Sequence, residues 1–263
     1  MLKTLGAILL VVFSATTPAF AQSATPEQRA QIAPTGALRA AVVKIPFLAK
    51  QDASGQLRGV APDLGAEMAR ALGIPYQPIA FDAPNAGIAA LREGKADVTF
   101  LAPTPERVGL IDFAPPFMEM EMTLIVLDSS AVQTQSDADK DGRKIVVYER
   151  TAVEEMARKK LTKATILRVP IFGYKQAFEM LKSGEADAFA DLRDALMSYQ
   201  PDLPGSRIIP GNYGSNALAI GYAKERPVTA AFVKQFTASA IKSGFVTRSI
   251  EKAGVRGAAA PGS

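Results

Sequence analysis

The stretch ADVTFLAPTPERVGLIDF, residues 96–113, decides how the rest of the chain is read. It opens as a short apolar strand, Val98-Thr99-Phe100-Leu101, and breaks at Ala102-Pro103. A helix then starts with Thr104 as N-cap and Pro105 at the first helical position, where its missing N–H costs nothing. Arg107 therefore falls in the first turn, near the positive end of the helix dipole, where a cation is mildly unfavourable. An anion held jointly by Arg107 and the free amide N–H groups would explain the placement. A solvated surface arginine is the alternative.

Working outward, strands and helices alternate on both sides of this stretch. Leu38 to Val43 reads as a buried strand, running on to Lys44-Ile45-Pro46-Phe47. Asp63 is expected to cap a helix whose apolar face is Leu64, Met68 and Leu72, ended by Gly73 and Pro75. Tyr76 to Phe81 is the next strand, and a helix through Ile88 and Leu91 stops at Gly94. After Phe113, Thr123 to Leu127 forms another apolar strand. Residues 128–142 are polar. Asp137, Asp139 and Asp141 faintly suggest a calcium loop but lack the glutamate of its twelfth position, so the segment reads as a solvated loop.

A second set begins at Lys144 to Tyr148, followed by Thr151-Ala152-Val153-Glu154, the pattern of a capping box. Ile166 to Val169 is a strand, and a helix bearing Ala177, Phe178 and Leu181 ends at Gly184. A short strand then leads to Asp191. Ala217 to Ala223 is a strand like Thr123 to Leu127, and two helices close the chain. This alternation predicts βαβ units and a mainly parallel sheet, an α/β protein. Leu91-Arg92-Glu93-Gly94-Lys95-Ala96-Asp97 is echoed by Leu181-Lys182-Ser183-Gly184-Glu185-Ala186-Asp187, one copy in each set. Each leads into a strand whose far end offers a candidate ligand residue, Arg107 in one and Asp191 in the other, and ligands bind at strand carboxyl ends in open α/β sheets.

Composition narrows the chemistry. The chain has no His and no Cys. That excludes histidine-dependent triads, disulfides, a cysteine-linked lipid anchor and the usual zinc sites, and no cofactor is expected. Lys3, the apolar run Leu5 to Phe13 and Pro18-Ala19-Phe20-Ala21 have the form of a signal peptide cleaved after Ala21, which predicts export to the periplasm. Lys and Arg exceed Asp and Glu only slightly, 30 against 26, with no basic run interleaved with aromatics, so nucleic acid is not an expected partner. Residues 22–36 read as a loose leader and 256–263 as a disordered tail.

The motifs together resemble the family 3 extracellular solute-binding proteins, the periplasmic receptors of polar amino acid ABC importers. Carrying the resemblance are Leu38 to Val42 with Pro46-Phe47, Gly55-x-Leu57-x-Gly59-Val60-Ala61-Pro62-Asp63, Thr104-Pro105-Glu106-Arg107 with Asp112-Phe113-x-x-Pro116-Phe117, and Gly184-x-Ala186-Asp187-Ala188 with Asp191. The resemblance implies a type II periplasmic binding protein fold: two α/β lobes joined by two hinge strands, with the ligand in the cleft between them. Lobe 1 would be discontinuous, 37–126 and 215–255, and lobe 2 would be 127–214. It further implies that Arg107 grips a solute carboxylate, that backbone N–H groups at Thr151 and Ala152 assist, and that Asp191 takes an ammonium. Hinge closure would trap the solute for a membrane permease, the protein acting as a monomer and not as an enzyme.

The sequence also departs from the family pattern. Phe100 and Ala102 stand where the family commonly has Gly and then Ser or Thr. Glu149-Arg150 brings two charges to a usually Gly-rich helix start, and Lys44 replaces a polar or acidic contact. Phe47 is the best candidate for an apolar wall. The solute is thus expected to be an amino acid with an unusual side chain, or a carboxylate with no amino group. The alternatives are a dehydratase on the same scaffold, with Glu149 or Asp191 as acid or base, and an accessory or signalling binding protein.

Overall fold

The computed structural model describes residues 24–262. The expected signal peptide lies outside them. Among the described residues, no helix is long and apolar enough to cross a membrane.

Strand Leu38–Val43 is almost wholly buried because helices cover both of its faces. Leu38, Ala40 and Val42 pack with Leu64, Met68 and Leu72, while Ala41 and Val43 pack with Ile88 and Leu91 on the other side. A near-continuous apolar run is what a parallel strand covered on two faces requires. This strand pairs in parallel with Tyr76–Phe81 and Val98–Leu101. The second set repeats the plan, with Lys144–Tyr148 between Thr165–Val169 and Ala188–Leu192, again parallel.

Two long antiparallel strands join the sets, Asp112–Leu127 and Gly214–Tyr222. The first covers 16 residues, far more than the expected Thr123 to Leu127. Its entry through Pro115-Pro116 looked like a break, since proline cannot donate to a ladder. Register shifts around Ala219, the partner of Pro116, absorb it. Each set closes on one of these strands in antiparallel fashion: Gly214–Tyr222 lies beside Val98–Leu101, and Asp112–Leu127 lies beside Ala188–Leu192. The result is one continuous 10-stranded sheet with two α/β lobes and two hinge strands between them.

The sequence echo is a structural repeat. Gly94 and Gly184 both end their helices with positive φ, 67° and 74°. The aspartate three residues on then pins the start of its lobe's first strand. Asp97 accepts from the Arg39 backbone N–H at 2.8 Å and pairs with the Arg39 guanidinium at 2.6 Å. Asp187 accepts from the Lys144 N–H at 2.9 Å and pairs with Arg143 at 2.6 Å. Each repeat thus fixes the N-terminal end of its first strand and leaves the carboxyl ends of both strands free to face the cleft.

Several expectations are corrected. Within the leader, Pro26–Ile32 is a helix held by a full Thr25/Gln28 capping box, and Ile32 is buried. The tail is ordered too. Ala258–Ala259 pairs with Met120 and Glu119 of the first hinge strand, and Ala260 is buried. Arg256 reaches Asp194 and Ser198 of the lobe 2 helix Arg193–Tyr199 at 3.2 and 3.0 Å, so the tail is a third connection across the hinge. These segments are rich in small residues, which gave no periodic signal, and their order comes from long-range pairing. Within 128–142, Gln135–Ala138 is a helical turn. Asp139 there accepts the Lys163 and Ala164 N–H groups at 2.7 and 3.3 Å.

The helix assigned to an Asp63 cap begins earlier, as Val60–Leu72, with Gly59 as its N-cap. Gly59 has φ 130°, and a Cβ there would lie 2.5 Å from the Leu48 carbonyl oxygen. Backbone conformation and space both demand glycine. We expect Gly59→Ala to destabilise the protein by about 3 kcal/mol or more, read as a lower urea midpoint. A midpoint within error of wild type would contradict this geometry.

Candidate functional site

A cavity of about 250 Å³ lies where the lobes and the hinge meet. Lobe 1 contributes Ala102 and Thr104 from the turn after Val98–Leu101, and the hinge strands contribute Met122 and Asn216. From lobe 2 come Ala152, Glu155, Met156 and Lys159, one face of the helix Ala152–Lys160. Two of the four segments, the turn after Val98–Leu101 and the helix that follows Lys144–Tyr148, leave the carboxyl ends of parallel strands, the side of an α/β sheet where ligands bind. The volume is below the roughly 300–1,000 Å³ of drug-sized sites, which suits a small metabolite.

Arg107 sits in the helix Pro105–Leu110, whose N-cap is Thr104 as expected, although the Thr104 side chain makes no cap bond. Its guanidinium is half-buried and turns back to donate to the Ala102 carbonyl oxygen at 3.0 Å. Among the described residues it has no carboxylate partner within salt-bridge distance. Burial pushes its pKa below the ordinary arginine value, with the neighbouring charge of Glu106 offsetting part of the effect. An arginine remains cationic regardless. A partly desolvated cation with several donors uncommitted therefore lies next to the cavity, bonded to Ala102 of its lining.

The start of the lobe 2 helix is arranged differently from a simple capping box. The Thr151 hydroxyl accepts from the Glu154 N–H at 3.2 Å and donates to the Tyr148 carbonyl at 2.9 Å. The Glu154 carboxylate, instead of reaching the Thr151 N–H, takes the Arg150 N–H at 2.8 Å. Arg150 is exposed and has φ 58°. Burial pushes Glu154 up, but hydrogen bonds from Arg168, the Arg150 N–H and Arg158 outweigh it and hold the carboxyl at about 2. Glu154 is thus spent on structure. The first-turn N–H groups at Thr151 and Ala152 have no acceptor inside the helix.

Asp191 is 6% exposed and ends the lobe 2 strand Ala188–Leu192 beside Thr123 of the hinge. Its carboxylate accepts from the adjacent Leu192 N–H at 2.8 Å and has no cationic partner among the described residues. Burial pushes its pKa up to about 7, the Leu192 N–H pulling weakly the other way. Beside it lies Tyr148, whose hydroxyl is pushed up by burial first and then by the Asp191 charge.

Of the expected site residues, Ala102 and Ala152 line the cavity, while Arg107, Arg150, Thr151 and Asp191 are not among its lining residues, nor are Phe100, Lys44 and Phe47. Phe100 is 1% exposed and packs edge-on against Phe117 at 6.2 Å in the core. Phe100 thus fills the core and is not among the residues lining the cavity, although it stands at a position of the family's ligand motif. Lys44 pairs with Asp82 at 2.7 Å beside the edge strand Tyr76–Phe81. Phe47 is half-buried against the main core. Conversely, Glu155, Lys159 and Asn216 escaped the sequence reading. The helical register i, i+3, i+4, i+7 from Ala152 would have found the first two. Asn216 was hidden because the second hinge strand starts at Gly214, earlier than its apolar residues suggest.

The architecture and the cleft recur in known proteins. A model of the bacterial extracellular solute-binding proteins, family 3, matches residues 38–254. Among solved structures, an ancestral amino acid-binding protein described as a precursor of cyclohexadienyl dehydratase is 26% identical, with a TM-score of 0.61 over 84% of this chain and 96% of that one. An L-arginine-bound substrate-binding protein of an amino acid ABC transporter from Streptococcus pneumoniae is 23% identical, with a TM-score of 0.61 over 84% and 96%. An ancestral cyclohexadienyl dehydratase is 22% identical, with a TM-score of 0.56 over 88% and 97%. The last two speak for the fold alone. No curated protein matches this chain by sequence. With the family model spanning both lobes and the hinge strands between them, the chain belongs to the bacterial extracellular solute-binding proteins, family 3.

Proposed function

We propose that the protein captures a small carboxylate-bearing solute, an amino acid or a close relative, in the periplasm and delivers it to an ABC importer permease. The observation that carries this reading is the half-buried Arg107 guanidinium, which among the described residues has only the Ala102 carbonyl as partner. A carboxylate would satisfy its remaining donors in bidentate fashion and would also suit the Thr151 and Ala152 N–H groups. Asp191 on lobe 2 would take the ammonium. Anion clamp and cation partner then belong to opposite lobes, so a zwitterion binds the closed arrangement better than the open one and drives hinge closure.

A thermal-shift panel of amino acids, organic acids and polyamines tests this. A solute at a hundredfold excess over Kd raises stability by about 2.7 kcal/mol, and carboxylates are expected to supply the positive responses. If only carboxylate-free cations stabilise the protein, the proposal fails.

A second reading, a dehydratase on this scaffold, draws on one observation. A buried carboxyl at about 7 is suitably poised for general acid or base work near neutral pH. Turnover of a cyclic hydroxy acid, lost on Asp191→Asn, would favour it over transport.

A further inference from the structure

We infer that the cleft selects an amino acid whose side chain ends in a neutral group that both donates and accepts hydrogen bonds, a carboxamide or ureido group. This rests on the binding-protein reading above and specifies which solute the cleft takes.

The cavity runs from Ala102, Thr104 and Ala152, next to the expected carboxylate site, along the lobe 2 helix to Asn216 on the hinge. Its far wall carries two opposite charges one helical turn apart, Glu155 and Lys159. Among the described residues neither side chain has an ion pair or hydrogen bond, and neither has the half-buried Asn216 amide. On the same helix Glu154, by contrast, is engaged with Arg158 and Arg168. The pair at the cavity is therefore free to meet a solute.

The charges decide the class. A cationic or an anionic side-chain end would meet one charge of opposite sign and one of its own sign, so attraction and repulsion offset. An aliphatic end would offer no hydrogen bond to either charge or to the amide. A neutral amide or urea donates to Glu155, accepts from Lys159 and pairs with either end of Asn216. Met156, which also lines the cavity, offers an adaptable apolar surface for the methylene stem.

Isothermal titration with L-glutamine, L-citrulline, L-arginine, L-glutamate and L-leucine tests the inference. Glutamine or citrulline is expected to bind at least about tenfold more tightly than the other three, one missing or repelled polar contact being worth that factor. Lys159→Gln is expected to narrow the gap to arginine, and Glu155→Gln the gap to glutamate. Both side chains are exposed, so these variants should melt as wild type does. If arginine, glutamate or leucine binds as tightly as glutamine and citrulline, and Arg107→Ala abolishes that binding, the side-chain inference is overturned while the carboxylate clamp stands. If no amino acid binds at all, both fall.

Discussion

Asp191→Asn is expected to make the solute-free protein more stable at pH 8 while abolishing its response to amino acids. The folded carboxyl keeps its proton up to about pH 7, whereas an aspartate in the unfolded chain loses it near the ordinary 3.8. Between those values the folded state binds the extra proton, so stability falls as pH rises from about 4 to about 7 and stays low above it. Asparagine keeps the shape, still accepts the Leu192 N–H and never ionises. Part of the gain is lost because the amide N–H₂ needs partners that the site provides poorly. The net expectation at pH 8 is a gain of about 2 kcal/mol, or roughly 4–8 °C in Tm for a chain of this size. At pH 5 the gain should disappear.

The ligand-dependent half of the prediction has the opposite sign. An ammonium needs the ionised carboxylate, so wild-type affinity for amino acids should rise as pH increases through about 7. Asp191→Asn should flatten that profile. Stability is thus sacrificed for a charge that only the solute neutralises, a familiar arrangement at functional sites. Unchanged stability at pH 8, together with a pH-independent wild-type affinity, would show that the carboxyl is not held in this state.

Arg107→Ala is expected to weaken carboxylate binding by about 2–5 kcal/mol, roughly thirtyfold to several thousandfold in Kd. Its effect on the solute-free protein should be small. Arg107 makes a single side-chain hydrogen bond there, to Ala102, and burial already opposes its charge. Arg107→Lys should fall between the two, since an ammonium cannot reproduce a bidentate fork. A large loss of Tm without solute would instead mark Arg107 as structural.

How much of this was legible in the sequence depends on how local the signal is. Thr104-Pro105 announces its helix because a cap and a first-turn proline act within a few residues. The two echoed Leu-x-x-Gly-x-Ala-Asp segments were equally readable, and their aspartates prove to pin the first strand of each lobe. The first hinge strand was undercounted because two prolines conceal a strand that tolerates them only through bulges against its partner. The ordered tail could not be seen, since Ala258 and Ala259 carry no pattern and gain order from pairing with Met120 and Glu119. For the site, Arg107 and Asp191 stood out through their positions in family-like motifs. Their exposure and the absence of protein counter-ions are properties of packing and required the structure. Phe100 misled for a related reason, because whether a strand residue faces the cleft or the core is set by the sheet's neighbours.

On this reading, what the cleft recognises is a carboxylate held by Arg107. The most direct measurement is a pair of titrations, one with the tightest-binding amino acid of the panel and one with the amine that lacks its α-carboxylate. The amino acid is expected to bind wild type about 100-fold more tightly, a difference of about 2.7 kcal/mol, and the advantage should vanish in Arg107→Ala. Equal binding of amine and amino acid to the wild-type protein would contradict it.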